Sequence, residues 1–137
     1  MSFIEWKSDF ETGIHVFDEH HRHLVSLLNM AYDGITCGAE HSELSAVLDE
    51  LIDYAAYHFI AEETWMEAYD YPDLAQHREE HFGFSCKIIS MQQEFRDTMD
   101  NLSLEVLLFL QDWLITHILK RDAELGRFAK GLPPGAH

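Results

Sequence analysis

Apolar residues recur at alternating steps of three and four along four separate stretches of this chain. Steps of that size follow the turn of an α-helix, so each stretch should form a helix with one apolar face. The four predicted helices cover about residues 18–33, 43–69, 73–98 and 104–128. Short connections separate them, and the sequence has no alternation of strands with helices. The pattern therefore predicts an all-α fold, an up-down-up-down four-helix bundle.

Residues suited to capping or breaking helices stand at the ends of these stretches. Asp18, Ser42 and Ser103 each precede an apolar run and are typical N-cap residue types. Pro72 interrupts the pattern between the second and third stretches, because proline is tolerated at a helix start and poorly inside a helix. These four positions define the predicted helix boundaries.

Both ends of the chain fall outside the helical pattern. Residues 1–17 lack helical periodicity and are predicted to form an N-terminal arm over the bundle, anchored by Phe3, Trp6 and Phe10. Residues 129–137 are expected to form a tail. The chain has 137 residues, of which 47% are hydrophobic. Residues 1–137 therefore suffice for one domain with a sizeable core and are too few for two.

The charge balance restricts the partners of the chain. It has 25 acidic and 9 basic residues, a formal net charge of −16. Such a surface repels phosphate backbones and anionic lipids, so we expect neither a nucleic-acid nor a membrane partner. No apolar run reaches the roughly 20 residues that span a bilayer, and the N-terminal sequence is too polar for a signal peptide. Cys37 and Cys86 have neither CxxC spacing nor the density of a disulfide scaffold, which indicates reduced thiols in the cytoplasm.

Two of the apolar faces carry ionisable residues where apolar side chains are expected. His58 and Glu62 are four residues apart on the second predicted helix, and His77 and His81 are four apart on the third. At about 100° per residue, this spacing directs both side chains of a pair from one face, one turn apart. Burying an unpaired carboxylate costs several kcal/mol. A metal cation would satisfy these groups most directly, so we interpret them as ligands.

The first and fourth predicted helices carry less regular candidates. On the first, His21 lies near the centre of the apolar arc, and His23 points nearly opposite. His20 is about a quarter-turn to the side of His21. It either flanks a site or stands at the boundary of the apolar face, and we favour the boundary. On the fourth helix, His117 lies on the apolar face, whereas Asp122 follows it by five residues and would diverge by about 140°. Asp122 therefore requires either a local departure from α geometry or a site approached from two sides.

The donor inventory indicates the kind of metal. Five imidazoles with one or two carboxylates exceed the roughly four ligands of a closed zinc site, and neither cysteine falls among them. Calcium and magnesium prefer oxygen donors. A surplus of nitrogen ligands, with carboxylates able to bridge, indicates two first-row transition-metal ions, iron first. The remaining histidines are expected in solvent: His15, His23, His41 and His137.

Four segments carry a resemblance that goes beyond periodicity. They read FDEHHRHL (17–24), HFIAEETWM (58–66), YPDLAQHREEH (71–81) and WLITHILKRD (113–122). Together with the N-terminal IEW, they resemble the hemerythrin family in its single-domain bacterial form, over about residues 4–125. The combination of HxxxE, HxxxH and HxxxxD in this order is highly specific, although each motif alone is weak.

The resemblance implies a non-haem di-iron centre. The family's pattern maps onto seven ligands: His21, His58, Glu62, His77, His81, His117 and Asp122. By analogy, the last three histidines hold one iron and the first two hold the other. Glu62 and Asp122 would bridge the irons together with a solvent-derived oxo or hydroxo group. His20 departs from the family, because bacterial members commonly have glutamine just before the first ligand.

The function implied by the resemblance is reversible O2 binding for transport, storage or sensing, with no catalytic residues and at most weak oxidase or peroxidase activity. O2 is then the ligand, and an unidentified redox or client protein would be a further partner. Five apolar residues that neighbour the ligands in sequence are expected to keep the O2 pocket dry: Leu24, Phe59, Trp113, Leu114 and Ile118. The alternative is a di-iron enzyme acting on O2, peroxide or nitric oxide. Such enzymes in helical bundles usually use more carboxylates and fewer histidines.

Overall fold

The computed structural model describes residues 3–98 and 104–133, and every regular element in these two ranges is helical. The long helices are α1 (His15–Thr36), α2 (His41–Ala68), α3 (Leu74–Thr98) and α4 (Leu104–Thr116). α4 continues through a π-helical turn, His117–Asp122, into α5 (Ala123–Lys130). These last three elements form the fourth helix of an up-down-up-down bundle. The predicted all-α four-helix bundle is confirmed.

The first helix begins earlier than its capping residue predicts. α1 starts at His15, with Ile14 at the N-cap position, so Asp18 lies inside the first turn. The Asp18 carboxylate instead accepts hydrogen bonds from the backbone N–H of Thr12 (2.7 Å) and Gly13 (3.2 Å). The prediction of Asp18 as the N-cap was therefore wrong, because this side chain holds the preceding arm rather than the helix end.

The second helix also begins before the predicted cap. α2 starts at His41 with Glu40 at the N-cap position, and no side chain caps it, so Ser42 lies within the helix. Ser103 lies outside the described residues. At the other end of the chain, α5 extends to Lys130, and residues 134–137 of the predicted tail lie outside the described residues.

The N-terminal arm packs along α1 through a reciprocal pair of hydrogen bonds. The backbone N–H of Ile4 donates to Oδ1 of Asn29 (2.7 Å), and Nδ2 of Asn29 donates back to the Ile4 carbonyl oxygen (2.9 Å). Phe3 stacks on Tyr32 with ring centroids 4.6 Å apart. Phe10 is buried and is the last residue of a 3-10 turn, Ser8–Phe10.

Two apolar clusters lie at different levels of the bundle. The main core includes Leu24, Leu48, Ile88 and Leu110, with further residues from the same helices and the arm. A smaller cluster at the other end contains Ile14, Phe17, Met66, Tyr71, Leu125 and Ala129. On each helix of the bundle, the polar residues predicted to face inward lie in sequence between members of these two clusters. The fold therefore encloses a polar layer between two apolar ones.

Within the described ranges, no helix combines the length and apolarity needed to cross a membrane.

Candidate metal centre

Seven histidine and carboxylate side chains from all four helices of the bundle fill the polar layer. They are His21, His58, Glu62, His77, His81, His117 and Asp122, and none is more than 4% exposed. These are the seven residues singled out in the sequence. The structure therefore brings every one of them into one buried layer.

The helical pairs converge as their spacing predicts. On α2, Nε2 of His58 lies 2.8 Å from Oε1 of Glu62, one turn further along the helix. On α3, the rings of His77 and His81 are 4.7 Å apart at their centroids. On α1, Nε2 of His21 lies 3.1 Å from Nε2 of His58.

The π-helical turn explains how Asp122 reaches the site. A π-helix places its hydrogen bonds between residues five apart, so it widens the turn that separates His117 from Asp122. Nε2 of His117 consequently lies 3.1 Å from Oδ1 of Asp122. Of the two alternatives that the sequence left open, the structure shows the local departure from α geometry.

The seven side chains form two groups of four donors, and the groups share one residue. In the first, the donor atoms of Glu62, His77, His81 and His117 lie within 4.8 Å of one another; in the second, those of His21, His58, Glu62 and Asp122 do. Asp122 also extends between the groups. Its Oδ1 is 3.0 Å from Nε2 of His77, and its Oδ2 is 2.8 Å from Nε2 of His21. Both carboxylates therefore stand where they could bridge two cations.

Burial moves the pKa values of the site in opposite directions. Burial, with repulsion from Asp122, raises the pKa of Glu62 well above its usual range. Burial would raise that of Asp122 too, but His117, His21 and His77 hold the pKa of this carboxyl well below its usual range. Burial, with the neighbouring ring of His21, lowers the pKa of His58 well below its ordinary value. Burial, with His117 and His77, lowers the pKa of His81 to about 2.

The residues present fit a pair of metal ions. Both oxygens of Glu62 are buried and have no hydrogen-bond partner among the residues that the structure describes. The Nε2 atoms of His81 and His117 face each other at 3.1 Å, as those of His21 and His58 do, and only one ring of each facing pair can donate to the other. Cations in the layer would accept the lone pairs that the protein leaves unmatched. Imidazole with carboxylate is a donor set that suits first-row transition metals.

The hemerythrin HHE cation binding domain model matches residues 12–129, most of the chain. The chain belongs to the hemerythrin family. It is 32% identical over 127 residues to a bacteriohemerythrin of Methylococcus capsulatus (strain Bath), covering 92% of this chain and 96% of the relative. A bacteriohemerythrin of Pseudomonas paraeruginosa (strain PA7) is 33% identical over 123 residues, covering 90% of this chain and 79% of the relative.

The fold of this hemerythrin domain is similar to those of solved hemerythrins. A wild-type hemerythrin crystal structure superposes with a TM-score of 0.86 at 31% identity, covering 92% of this chain and 97% of the other. The crystal structure of an L114A hemerythrin mutant gives a TM-score of 0.87 at 30% identity, covering 93% of this chain and 97% of the other.

Three residues lie against the outer faces of these histidines: His20, which the sequence offered as a flanking residue but not as the favoured interpretation, and Glu63 and Glu80, which the sequence analysis did not identify. His20 is buried, with Nδ1 2.8 Å from Nδ1 of His58, so its interpretation as a boundary residue was wrong. Burial, with the nearby His21, lowers the pKa of His20. Oε2 of Glu63 lies 2.9 Å from Nδ1 of His81, and Oε2 of Glu80 lies 3.8 Å from Nδ1 of His117. Glu63 and Glu80 are each adjacent in sequence to one of the seven, and this adjacency is the only signal in the sequence that pointed to them.

The other histidines differ in exposure. His15 is exposed, as expected. His23 is half-buried against Tyr54, with ring centroids 4.2 Å apart. The prediction was wrong for His41, which stacks on Phe95 and has Nε2 2.9 Å from the Phe95 carbonyl oxygen. His137 lies outside the described residues.

A small apolar cavity of about 10 Å³ adjoins the polar layer. Of the predicted pocket residues, Leu24, Phe59, Trp113 and Leu114 line it. The rings of Phe59 and Trp113 also stack on donors of the site: Phe59 lies on His81 (4.0 Å between centroids) and Trp113 on His117 (4.6 Å). Ile118 does not line the cavity. It lies in the π-helical turn and is buried in the main core.

Proposed function

We propose that this member of the hemerythrin family binds O2 reversibly at a non-haem di-iron centre. The observation that carries the proposal is the set of seven buried donors that converge in two groups sharing Glu62. The proposed iron ligands are His21, His58, Glu62, His77, His81, His117 and Asp122. Transport, storage and sensing of O2 are all served by such a site.

The two groups of donors are unequal, and this inequality provides a place for a ligand. Three histidines would hold one ion and two would hold the other, and Glu62 and Asp122 would be shared between them together with a solvent-derived oxo or hydroxo group. At about six positions per ion, the ion held by two histidines would have one position left for an external ligand. A pair of ferrous ions supplies the two electrons and the open position that reversible O2 binding requires.

The protein's part is to keep water and protons away from the bound ligand. Leu24, Phe59, Trp113 and Leu114 line a small apolar cavity of about 10 Å³, close to the least space that a single water molecule needs. The proposal assigns the O2 pocket to these four residues. Ile118, the fifth predicted member, contributes through the core behind the site.

The donor set favours binding over catalysis. Hemerythrins and bacteriohemerythrins are oxygen-binding proteins rather than enzymes, and the carboxylate-rich sites of di-iron enzymes in bundles contrast with the five imidazoles here. The reaction with air therefore ends at the bound state, with no substrate turned over.

We also propose a cytoplasmic location. Cys37 and Cys86 are both exposed free thiols, which suits a reducing compartment. A protein that returns the irons to the ferrous state would be a partner, and the net charge of −16 favours one with a basic docking face.

The deciding experiment adds air to the anaerobic, reduced, iron-loaded protein and follows its visible spectrum. We expect two irons per chain and a ligand-to-metal charge-transfer band that appears with O2 and disappears when O2 is removed. Rapid loss of the band with release of hydrogen peroxide would instead indicate an enzyme. Absence of any band would contradict O2 binding at this site.

A further inference from the structure

The outer ring nitrogens of the proposed ligands need partners of their own. A histidine that holds a metal through Nε2 carries its hydrogen on Nδ1, and an acceptor there fixes the tautomer and orientation of the ring. For His81 the acceptor is Glu63, whose Oε2 lies 2.9 Å from Nδ1. For His58 the neighbouring atom is Nδ1 of His20, at 2.8 Å.

The inner nitrogen of His58 already faces the site. Its Nε2 lies 2.8 Å from Oε1 of Glu62 and 3.1 Å from Nε2 of His21. Two ring nitrogens 2.8 Å apart share a single hydrogen. His58 can therefore present a bare Nε2 to a metal only when its Nδ1 donates and the Nδ1 of His20 accepts.

Aromatic rings from α1 and α2 hold His20 in the orientation that this hydrogen bond requires. The side chain is 5% exposed. Its ring centroid lies 5.1 Å from that of Tyr57, 5.8 Å from that of Tyr54 and 6.1 Å from that of Phe17. The imidazole cannot turn away from His58 without repacking these neighbours. The hydrogen bond to His58 explains why Nδ1 of His20 lies among these aromatic rings.

We propose that His20 is a positioning residue, which accepts the Nδ1 hydrogen of His58 and so directs the Nε2 lone pair of His58 into the metal site. This inference rests on the di-iron function proposed above. The other histidine of the same group, His21, has a buried Nδ1 with no hydrogen-bond partner in the described part of the chain. Among the described residues, His20 is therefore the hydrogen-bond partner that the outer nitrogens of this two-histidine group have.

Comparing His20→Gln with His20→Leu in the full-length, iron-loaded protein tests this role. Glutamine keeps an acceptor oxygen at about the same reach, whereas leucine keeps apolar volume and removes the acceptor. We expect His20→Leu to lose iron to a strong chelator about 10- to 100-fold faster than the wild type. Its ferric charge-transfer band should also shift, while His20→Gln should remain close to the wild type in both measurements.

Leu27→Ala is the matched control, because Leu27 is a buried residue of α1 that packs in the main core. It should lower the melting temperature without changing the charge-transfer band or the rate of iron loss measured well below melting. Equal rates for His20→Leu and Leu27→Ala would overturn the inference, and so would a His20→Gln variant as defective as His20→Leu. If His20→Leu fails to fold, His20→Phe fills the same space without an acceptor and takes its place. A wild-type protein that never takes up two irons would instead refute the proposed function, before any variant is needed.

Discussion

Glu62 and Asp122 are equally buried, yet they have opposite protonation preferences in the iron-free protein. Burial and repulsion from Asp122 raise the pKa of Glu62, so this carboxyl retains its proton to a higher pH than an ordinary glutamate does. Against the effect of its own burial, the histidines around Asp122 lower its pKa and keep it ionised. A carboxylate that binds a cation must give up its proton. Metal binding at this site is therefore coupled to proton release from Glu62.

Replacing His58 with alanine should reduce bound iron below two per chain and lower the melting temperature of the iron-loaded protein. Nε2 of His58 belongs to one of the two donor groups, so its removal leaves that group with one histidine and two carboxylates. Iron affinity and folding stability are linked, and both should fall together. Iron analysis and thermal unfolding measure the two effects. His15→Ala is the control, since His15 is exposed at the start of α1. Two irons per chain with unchanged melting in His58→Ala would show that the ligand assignment is wrong.

At the residue scale, helical periodicity predicted the ligands whose spacing matches the helical turn. His58, Glu62, His77 and His81 were placed on inward faces because a spacing of four repeats the helical turn. His20 was not, because its burial depends on Tyr54 and Tyr57 of the neighbouring helix. A single-helix pattern carries no information about which residues of another helix cover its edge.

At the scale of elements, the π-helical turn is the feature that periodicity could not predict. Regular α geometry directs His117 and Asp122 about 140° apart, and the wider turn brings them together. The resemblance to the hemerythrin family implied that His117 and Asp122 are ligands of one site. The physical cause of their approach, the π-helical turn, is visible only in the structure. The capping residues failed for a similar reason, since Asp18 bonds to the arm that precedes α1 rather than to the helix end.

The contact between the arm and α5 gives a prediction for the elements. A Cβ atom on Gly126 would collide with the backbone carbonyl oxygen of Thr12, and a backbone atom cannot move aside as a side chain can. Gly126→Ala should therefore destabilise the protein by about 1–3 kcal/mol. Urea unfolding measures the change.

Gly83→Ala is the matched control for that substitution. Gly83 lies in α3, and nothing stands within 4 Å of a Cβ atom built there. Alanine should stabilise this helix by up to about 1 kcal/mol, because glycine is the poorer helix former. If both alanines stabilise the protein equally, the arm does not pack on α5 through this contact.

The whole molecule is a sequence of layers in which two apolar clusters enclose the polar one. The sequence predicted the bundle because its four apolar faces have no other way to be buried. It also predicted the polar layer, because each helix interrupts its apolar face at a corresponding level. The sequence did not predict that Phe17, Met66 and Leu125 cover the polar layer. Their positions on the apolar faces show that they are buried, but not at which level of the bundle they lie.

Acid should destabilise the iron-free molecule from a pH of about 6.5 downward. Burial lowers the pKa of His58 well below that value, and that of His81 to about 2. Above a pH of about 6.5, the pKa of histidine in the unfolded chain, these two rings are neutral in both the folded and the unfolded protein. Below it, the unfolded chain takes up protons that the folded chain does not, so unfolding becomes easier by roughly 1.4 kcal/mol per pH unit for each such histidine. The raised pKa of Glu62 acts in the opposite direction and offsets part of this loss, so the slope of the two histidines together is reduced. The loss continues as the pH falls toward the folded-state pKa values.

The iron-loaded protein should respond to pH over the same range for a second reason. Protons compete with iron for the imidazoles and for Glu62, so the stability that iron adds should shrink as the pH falls. Urea unfolding of both forms across a series from about pH 8 to about pH 5 measures the two effects together. His15→Gln, at an exposed position, should leave both slopes unchanged. An iron-free protein whose stability is constant across the series would contradict burial of neutral imidazoles, and iron held in an intact fold well below a pH of about 6.5 would contradict imidazole ligation.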